Sequence, residues 1–265
     1  MKPYIVYNNY GWKGYIAEEW QDDWKNIGLW MSDNPGKIIV KYKSREVRKI
    51  KTSRGVVYLK DIYALTDAGM AGKDWLSWMK WYCRPSRARA TFMVSQKMLS
   101  DGILCAEPLA GLRMRSSSGL PRDIFISREV HGEILSQKLA ALEEKRKIHE
   151  IIRSVARQLE LFHRKGYVHG DCLLRNLAFS SDGKLIYLDN DRTKYDRWYK
   201  LFCRKKRNLA QLGYSILRVT NRRENLNIFL EEYRKKAHWP LDIEYKNLVR
   251  SIVSRYLKRM DCGPL

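Results

Sequence analysis

His169-Gly170-Asp171-Cys172-Leu173-Leu174-Arg175-Asn176, followed by an apolar run that closes on Leu188-Asp189-Asn190, decides how this chain is read. One carboxylate stands five residues before a carboxamide, and a second carboxylate follows thirteen residues after it. That order suits phosphoryl transfer from ATP. The first Asp accepts a proton from an attacking hydroxyl, while an amide oxygen and the second carboxylate hold magnesium against the phosphates. Asp171 is therefore the candidate catalytic base, and Asn176 and Asp189 are the candidate metal and nucleotide ligands. Asp and Asn are common in loops for their own turn-forming reasons, so an H-x-D tripeptide by itself carries little. Its surroundings supply the rest.

Before the block, Ile148, Ile151, Ile152, Val155, Leu159 and Phe162 recur at helical spacing and predict a helix with one buried face. Gly166 can end that helix, Tyr167-Val168 re-enters the core, and His169-Gly170-Asp171 opens a loop. After it, Leu177-Ala178-Phe179 and Leu185-Ile186-Tyr187-Leu188 flank Ser180-Ser181-Asp182-Gly183-Lys184, a hairpin turned at Asp-Gly. Folding the hairpin returns Asp171, Asn176 and Asp189 to one end.

Upstream, Lys49-Ile50-Lys51 and Val56-Val57-Tyr58-Leu59-Lys60 surround Thr52-Ser53-Arg54-Gly55, a second candidate hairpin. Lys60 is expected to end its second strand, where an ammonium can meet the α- and β-phosphates of ATP. No G-x-G-x-x-G occurs, and the nearest substitute is Asp33-Asn34-Pro35-Gly36 before Ile38-Ile39-Val40. Phe125-Ile126-Ser127-Arg128-Glu129-Val130 reads as a strand running into a hinge, where backbone groups of Arg128, Glu129 and Val130 would meet adenine. Residues 1–36, with Trp12, Trp20, Trp24 and Trp30, are expected as an aromatic-rich extension packed on the first sheet. Residues 37–128 would form a sheet-bearing lobe with one helix, and 129–265 a mostly helical one. Tyr245, Leu248, Val249, Ile252, Tyr256 and Leu257 predict a last amphipathic helix.

On these residues the chain resembles the lipopolysaccharide kinase family, the kinase-like Kdo and heptose kinases, and more loosely all protein-kinase-like folds. The resemblance spans about residues 38–217. It rests on Val57-Tyr58-Leu59-Lys60, on Arg84-Pro85-Ser86-Arg87-Ala88-Arg89 opening a helix that closes at Leu99-Ser100-Asp101-Gly102-Ile103, on Glu107-Pro108-Leu109-Ala110, and on the block from His169 to Asp191. It implies an α+β, two-lobed protein-kinase-like fold with a small antiparallel-sheet N-lobe and a mostly helical C-lobe. It also implies ATP and Mg2+ as cofactors, Lys60 as the phosphate lysine, Asp171 as base, and Asn176 and Asp189 as metal ligands. Gly170 stands where protein kinases usually carry Arg, which resembles the small-molecule and glycolipid branch. Protein kinases brace the phosphate lysine with a glutamate from the following helix, yet Arg84 to Ser100 contains no acidic residue. Thr91 or Ser95 would take the inward face with Ala88, Phe92 and Leu99, leaving the Asp189 carboxylate or ATP itself as the anion for Lys60.

Composition narrows the partners. At 265 residues and 45% hydrophobic, the chain can bury two small cores. Five cysteines without a C-x-x-C pair argue against a disulfide framework and a zinc site. The N-terminus lacks the apolar core of a signal peptide, and no apolar run approaches the roughly 18 residues of a membrane span, so a cytoplasmic protein is expected. A net charge of +22 attracts polyanions. Nucleic acid is disfavoured because no zinc spacing or RRM-type aromatic motif accompanies the charge. An anionic glycolipid acceptor of the lipopolysaccharide core and anionic inner-leaflet lipid both fit. Trp75, Trp78, Trp81 and Tyr82, with Lys73, Lys80 and Arg84, form the best aromatic-plus-basic segment for peripheral membrane contact, against the plainer reading that they are core. A kinase of another acceptor, and a non-catalytic kinase-like binding protein with a basic surface, are the competing functions.

Overall fold

Alternation of apolar and polar residues at period two builds a seven-stranded antiparallel sheet in the first half of the chain. The computed structural model describes residues 3–42, 44–63, 79, 82–115, 119–195, 202–237 and 242–260. The chain divides into two units, Met1–Val130 and His131–Leu265.

In the first unit the elements run β1 (Tyr4–Asn9), β2 (Trp12–Ala17), α1 (Ile27–Asp33), β3 (Lys37–Tyr42), β4 (Arg45–Thr52), β5 (Gly55–Tyr63), α2 (Arg87–Ser100), β6 (Leu104–Cys105), β7 (Pro108–Arg115) and β8 (Pro121–Arg128). The sheet order is β1-β2-β7-β8-β5-β4-β3. Residues 4–17, expected as part of an extension lying against the sheet, are two of its strands, because β2 pairs with β7 from Lys13↔Arg113 to Ile16↔Ala110. One face carries Trp12, Ile16, Val57, Leu59, Ile124 and Ile126, and Trp20, Trp24 and Ile27 pack on it. Trp20 and Trp24 stack at 4.5 Å, and Trp30 meets Trp24 edge-on at 5.5 Å. Each such pair adds about 0.5–1.5 kcal/mol beyond its buried area.

Helix α2 covers the other face. Ser86 caps it by accepting from the Arg89 amide, and Asp123 of β8 accepts from the Arg87 amide at 2.8 Å. Ala88 and Phe92 lie over Phe125, with Tyr4 and Tyr15 beside them. A Cβ on Gly111 would sit 2.6 Å from both the Ala88 carbonyl oxygen and Phe92 Cβ, so this strand position must be glycine for the helix to lie this close.

The hairpin expected around Ser53-Arg54 is present, with Thr52 opposite Gly55. Lys60 does not end its strand, however, since β5 continues through Asp61-Ile62-Tyr63. Asp61 reads as a breaker, but Arg122 of β8 grips its carboxylate at 2.6 and 3.0 Å, which lets the charge stay buried inside the sheet. The segment of Trp75, Trp78 and Trp81 lies outside the described residues.

The second unit begins with β9 (Glu133–Ile134), α3 (Leu135–Ala141) and α4 (Lys145–Arg164). Then come β10 (Tyr167–Val168), β11 (Leu177–Phe179), β12 (Leu185–Tyr187), β13 (Lys194–Tyr195), α5 (Phe202–Thr220), α6 (Arg223–Arg234) and α7 (Asp242–Met260). The buried stripe of α4 runs through Ile148, Ile152, Val155, Leu159 and Phe162. Phe162 stacks on Tyr187 of the hairpin at 4.1 Å, so the helix and the β11–β12 hairpin share one core. The hairpin pairs Leu177↔Tyr187 through Phe179↔Leu185, and β9 adds to the far side of β11. No helix among the described residues is long and apolar enough to cross a membrane.

Candidate active site

The loop from His169 to Asn176 follows β10, which pairs with β13, and side chains bond four of its backbone amides. Asn208 on α5 accepts from the His169 amide at 2.8 Å and donates to the His169 carbonyl at 2.6 Å. One turn on, Gln211 accepts from the Cys172 amide at 3.3 Å, and a turn further Ser215 accepts from the Leu174 amide at 3.1 Å. These three residues at i, i+3 and i+7 share one face of α5. The loop satisfies the amides of Leu173 and Asn176 with its own carbonyls, and this helix takes those of His169, Cys172 and Leu174.

His169 is fully enclosed. Its Nε2 lies 2.8 Å from the Leu188 carbonyl oxygen, and its Nδ1 lies 3.1 Å from the Asp171 amide nitrogen. A carbonyl only accepts and an amide only donates, so the ring is a neutral imidazole carrying its proton on Nε2. Burial pushes its pKa down, consistent with that form. The side chain thereby ties the loop to the residue before Asp189.

Asp171 is partly open to solvent, with its side chain 38% exposed. Asn176 donates from Nδ2 to the Asp171 backbone oxygen at 2.8 Å and to its carboxylate at 3.1 Å. Gln211 Nε2 reaches the other carboxylate oxygen at 3.5 Å, and Arg175 stands 3.3 Å away as an exposed cation. With its nitrogen committed to Asp171, Asn176 keeps its amide oxygen for another partner. The Asn176 carbonyl accepts from the Leu188 amide at 2.9 Å, which brings Asp189 next to the Asn176 end of the hairpin. Asp189 adopts a left-handed backbone (φ 51°, ψ 58°) and is followed by a 3-10 turn over Asn190–Arg192.

Gly170 has a steric explanation. A Cβ there would overlap Arg192 Cβ at 1.9 Å and the Arg192 backbone at 2.7 Å. An Arg at this position has no room while the turn after Asp189 crosses the loop.

The remaining expected site residues belong to the first unit. Lys60 lies half-buried on the face that α2 covers, in the cross-strand row Tyr15, Gly111, Phe125, Lys60 and Val47. The inward face of α2 carries Thr91 and Ser95 as expected, and also Gln96, whose buried Oε1 has no hydrogen-bond partner. Leu99, expected inward, is only half-buried. The Arg128 and Glu129 amides are already engaged, donating to the carbonyls of Glu107 and Val56 at 2.9 and 3.0 Å. The Arg128 guanidinium is bound to Glu107 and Glu19, and the Glu129 carboxylate to Lys49.

Sequence reading missed Asn208, Gln211 and Ser215. Each is an ordinary polar residue on a helix, and only their shared spacing on α5 hints at a common task. Among the described residues no cluster of three or more His, Cys, Asp or Glu side chains has the arrangement of a metal centre. The set near the loop is an amide oxygen and a carboxylate, hard oxygen donors of the type that hold magnesium together with waters and phosphates. A family model described as the lipopolysaccharide kinase (Kdo/WaaP) family matches residues 36–233. No curated protein matches the chain significantly.

Proposed function

The chain belongs to the lipopolysaccharide kinase (Kdo/WaaP) family, and from that premise we propose that it transfers the γ-phosphoryl group of ATP to a sugar hydroxyl of a lipopolysaccharide core glycolipid. The observation that carries the residue assignments is the Asp171–Asn176 pair. Asn176 holds the Asp171 carboxylate from one side with its nitrogen and presents its oxygen elsewhere. A base needs a fixed orientation and a metal ligand needs a lone pair, and this single amide serves both needs.

On this reading the two units are the lobes of a kinase-like fold. Asp171 accepts the proton of the acceptor hydroxyl as its oxygen bonds to the γ-phosphorus and ADP leaves. Asn176 and Asp189 would hold Mg2+, which would supply positive charge to the transferring phosphate. Lys60 neutralises the α- and β-phosphates, and backbone groups of Arg128 to Val130 meet adenine, the Arg128 and Glu129 amides being engaged within the sheet. Gln211 and Asn208 act through the loop: they fix where the Asp171 carboxylate sits. The acceptor is embedded in a membrane, so the enzyme works as a peripheral protein at the cytoplasmic face, and the +22 charge favours an anionic surface.

The test is phosphate transfer from ATP to purified core glycolipid lacking the added phosphate, read by mass spectrometry. Wild type should add one phosphate, and Asp171→Asn should lower turnover by roughly 10²–10⁴ with ATP binding little changed. Equal turnover at matched folding removes Asp171 as the base. An unmodified glycolipid alongside phosphorylation of another alcohol removes the acceptor.

A further inference from the structure

The +22 charge is not spread evenly over paired side chains. In the first unit a cavity of about 910 Å³ opens between β2, β7 and the start of α2. Lys13, Arg84, Arg89, Arg113 and Arg115 line it, and among the described residues no acidic one does. Arg113 is answered from behind by Asp123, which it grips at 2.6 and 3.0 Å. Lys13, Arg89 and Arg115 have no carboxylate partner among the described residues.

The guanidinium groups are nonetheless held in place. Arg115 lies 4.1 Å over the Tyr82 ring and donates to the carbonyls of Gly119 and Tyr82 at 2.9 and 3.2 Å. Arg89 lies 5.4 Å over the Tyr15 ring, which is itself stacked on Phe92. Aromatic faces and carbonyls fix the plane of a guanidinium without cancelling its charge, and part of its donor fork stays unused. The first turn of α2 contributes Arg89 and Ala90 to the wall, and its N-terminal amide at Arg87 is answered by Asp123. Lys13, Arg89 and Arg115 around one cavity repel one another, which favours an anion between them. None of the residues assigned to ATP lines this space.

We propose that this cavity is a second phosphate-binding site, taking a phosphomonoester or diphosphate group. Planar, pre-set guanidinium forks match the paired oxygens of phosphate better than a single carboxylate or halide. That chemistry is shared by a phosphorylated lipid headgroup and by free inorganic phosphates. The site stands independently of the phosphotransfer reading, because it is defined by binding alone.

The experiment is calorimetric titration of the full chain with inorganic pyrophosphate, in the presence of magnesium and a saturating non-hydrolysable ATP analogue that occupies the nucleotide site. Wild type and Asp189→Asn should bind pyrophosphate alike. Arg89→Gln/Arg115→Gln should bind roughly tenfold or more weakly, the scale of one lost charge-assisted hydrogen bond. Should that pair disturb folding through the lost Arg115 carbonyl bonds, Lys13→Gln/Arg89→Gln alters two exposed side chains and must show the same loss. Co-sedimentation with neutral phospholipid vesicles, with and without phosphatidic acid, separates the sources. Binding that requires phosphatidic acid and falls in the variants assigns a lipid headgroup, and pyrophosphate binding without vesicle binding assigns a soluble phosphate. Pyrophosphate binding abolished by the ATP analogue, or unchanged in both double variants, overturns the proposal.

Discussion

Around Asp171 polar groups answer one another, whereas at the basic cavity of the first unit Lys13, Arg89 and Arg115 have no carboxylate partner among the described residues. In the loop, a histidine, two amide side chains and a hydroxyl take up the amides of residues 169, 171, 172 and 174, so these backbone groups need no outside partner. At the cavity, Arg89 and Arg115 are positioned by rings and carbonyls while their charge goes uncompensated. A closed network fixes the position of a group, and an open one prepares it to receive a ligand. The two regions should therefore respond oppositely to substitution: the loop through stability, the cavity through binding.

The strongest way to break this contrast is at Asn208. Asn208→Leu strands the His169 amide and carbonyl and the His163 Nε2 proton, all buried, and should cost about 3 kcal/mol in chemical denaturation. A loss near zero means that the loop is not held from α5. Gly170→Ala comes next. Its Cβ has nowhere to go but against Arg192, and about 1–3 kcal/mol of overpacking strain should appear together with reduced turnover, since relief of the clash displaces Asp171. Wild-type melting and kinetics in this variant place the crossing of the two segments wrongly.

The first unit offers smaller effects. One of its buried carboxylates is shared by two cations: the hydrogen bond from Arg48, with further help from Lys41, holds the Glu46 carboxyl below its usual pKa. A pKa lower in the folded than in the unfolded chain stabilises at neutral pH, and that stability is lost as pH falls below about 4.5 through the folded value. Glu46→Gln should lose about 1 kcal/mol at pH 7 and unfold with a shallower acid slope than wild type. Identical slopes remove the ion pair from the account. The smallest effect has the opposite sign: Gln96→Leu replaces a buried, unpartnered acceptor on α2 and should raise stability by about 1 kcal/mol, visible as a higher melting temperature.

Local signals carried most of what the sequence disclosed. The β11–β12 hairpin follows from alternation around Asp182-Gly183, and α4 from a stripe of period 3.6, because each needs only neighbours along the chain. The Asp171–Asn176 contact is likewise a five-residue affair. What escaped depends on distant partners. Strand β2 joins the sheet through β7, nearly a hundred residues away, and nothing within residues 12–17 announces that register. Lys60 is expected to end its strand, and the Arg122 that neutralises Asp61 and lets the strand continue lies about sixty residues on. Asn208, Gln211 and Ser215 escaped for the same reason: a polar helix residue carries no mark of the backbone it serves. The basic cavity draws on β2, the start of α2 and β7, so no run of charge in the sequence foreshadows it.

The crossing of Gly170 and Arg192 bears on how this half of the molecule moves. The loop is fastened to the segment beyond it at four places: His169 to Leu188, Asn176 to Leu188, Gly170 against Arg192, and β10 beside β13. Four fastenings so near one another favour opening together. The amides of His169, Asp171, Asn176 and Leu188 should therefore exchange with solvent as one cooperative unit, at a single opening free energy. A hinged flap has a free end, whereas this stretch is laced shut at both. Whatever gates access to Asp171, it is not this segment swinging away from the loop.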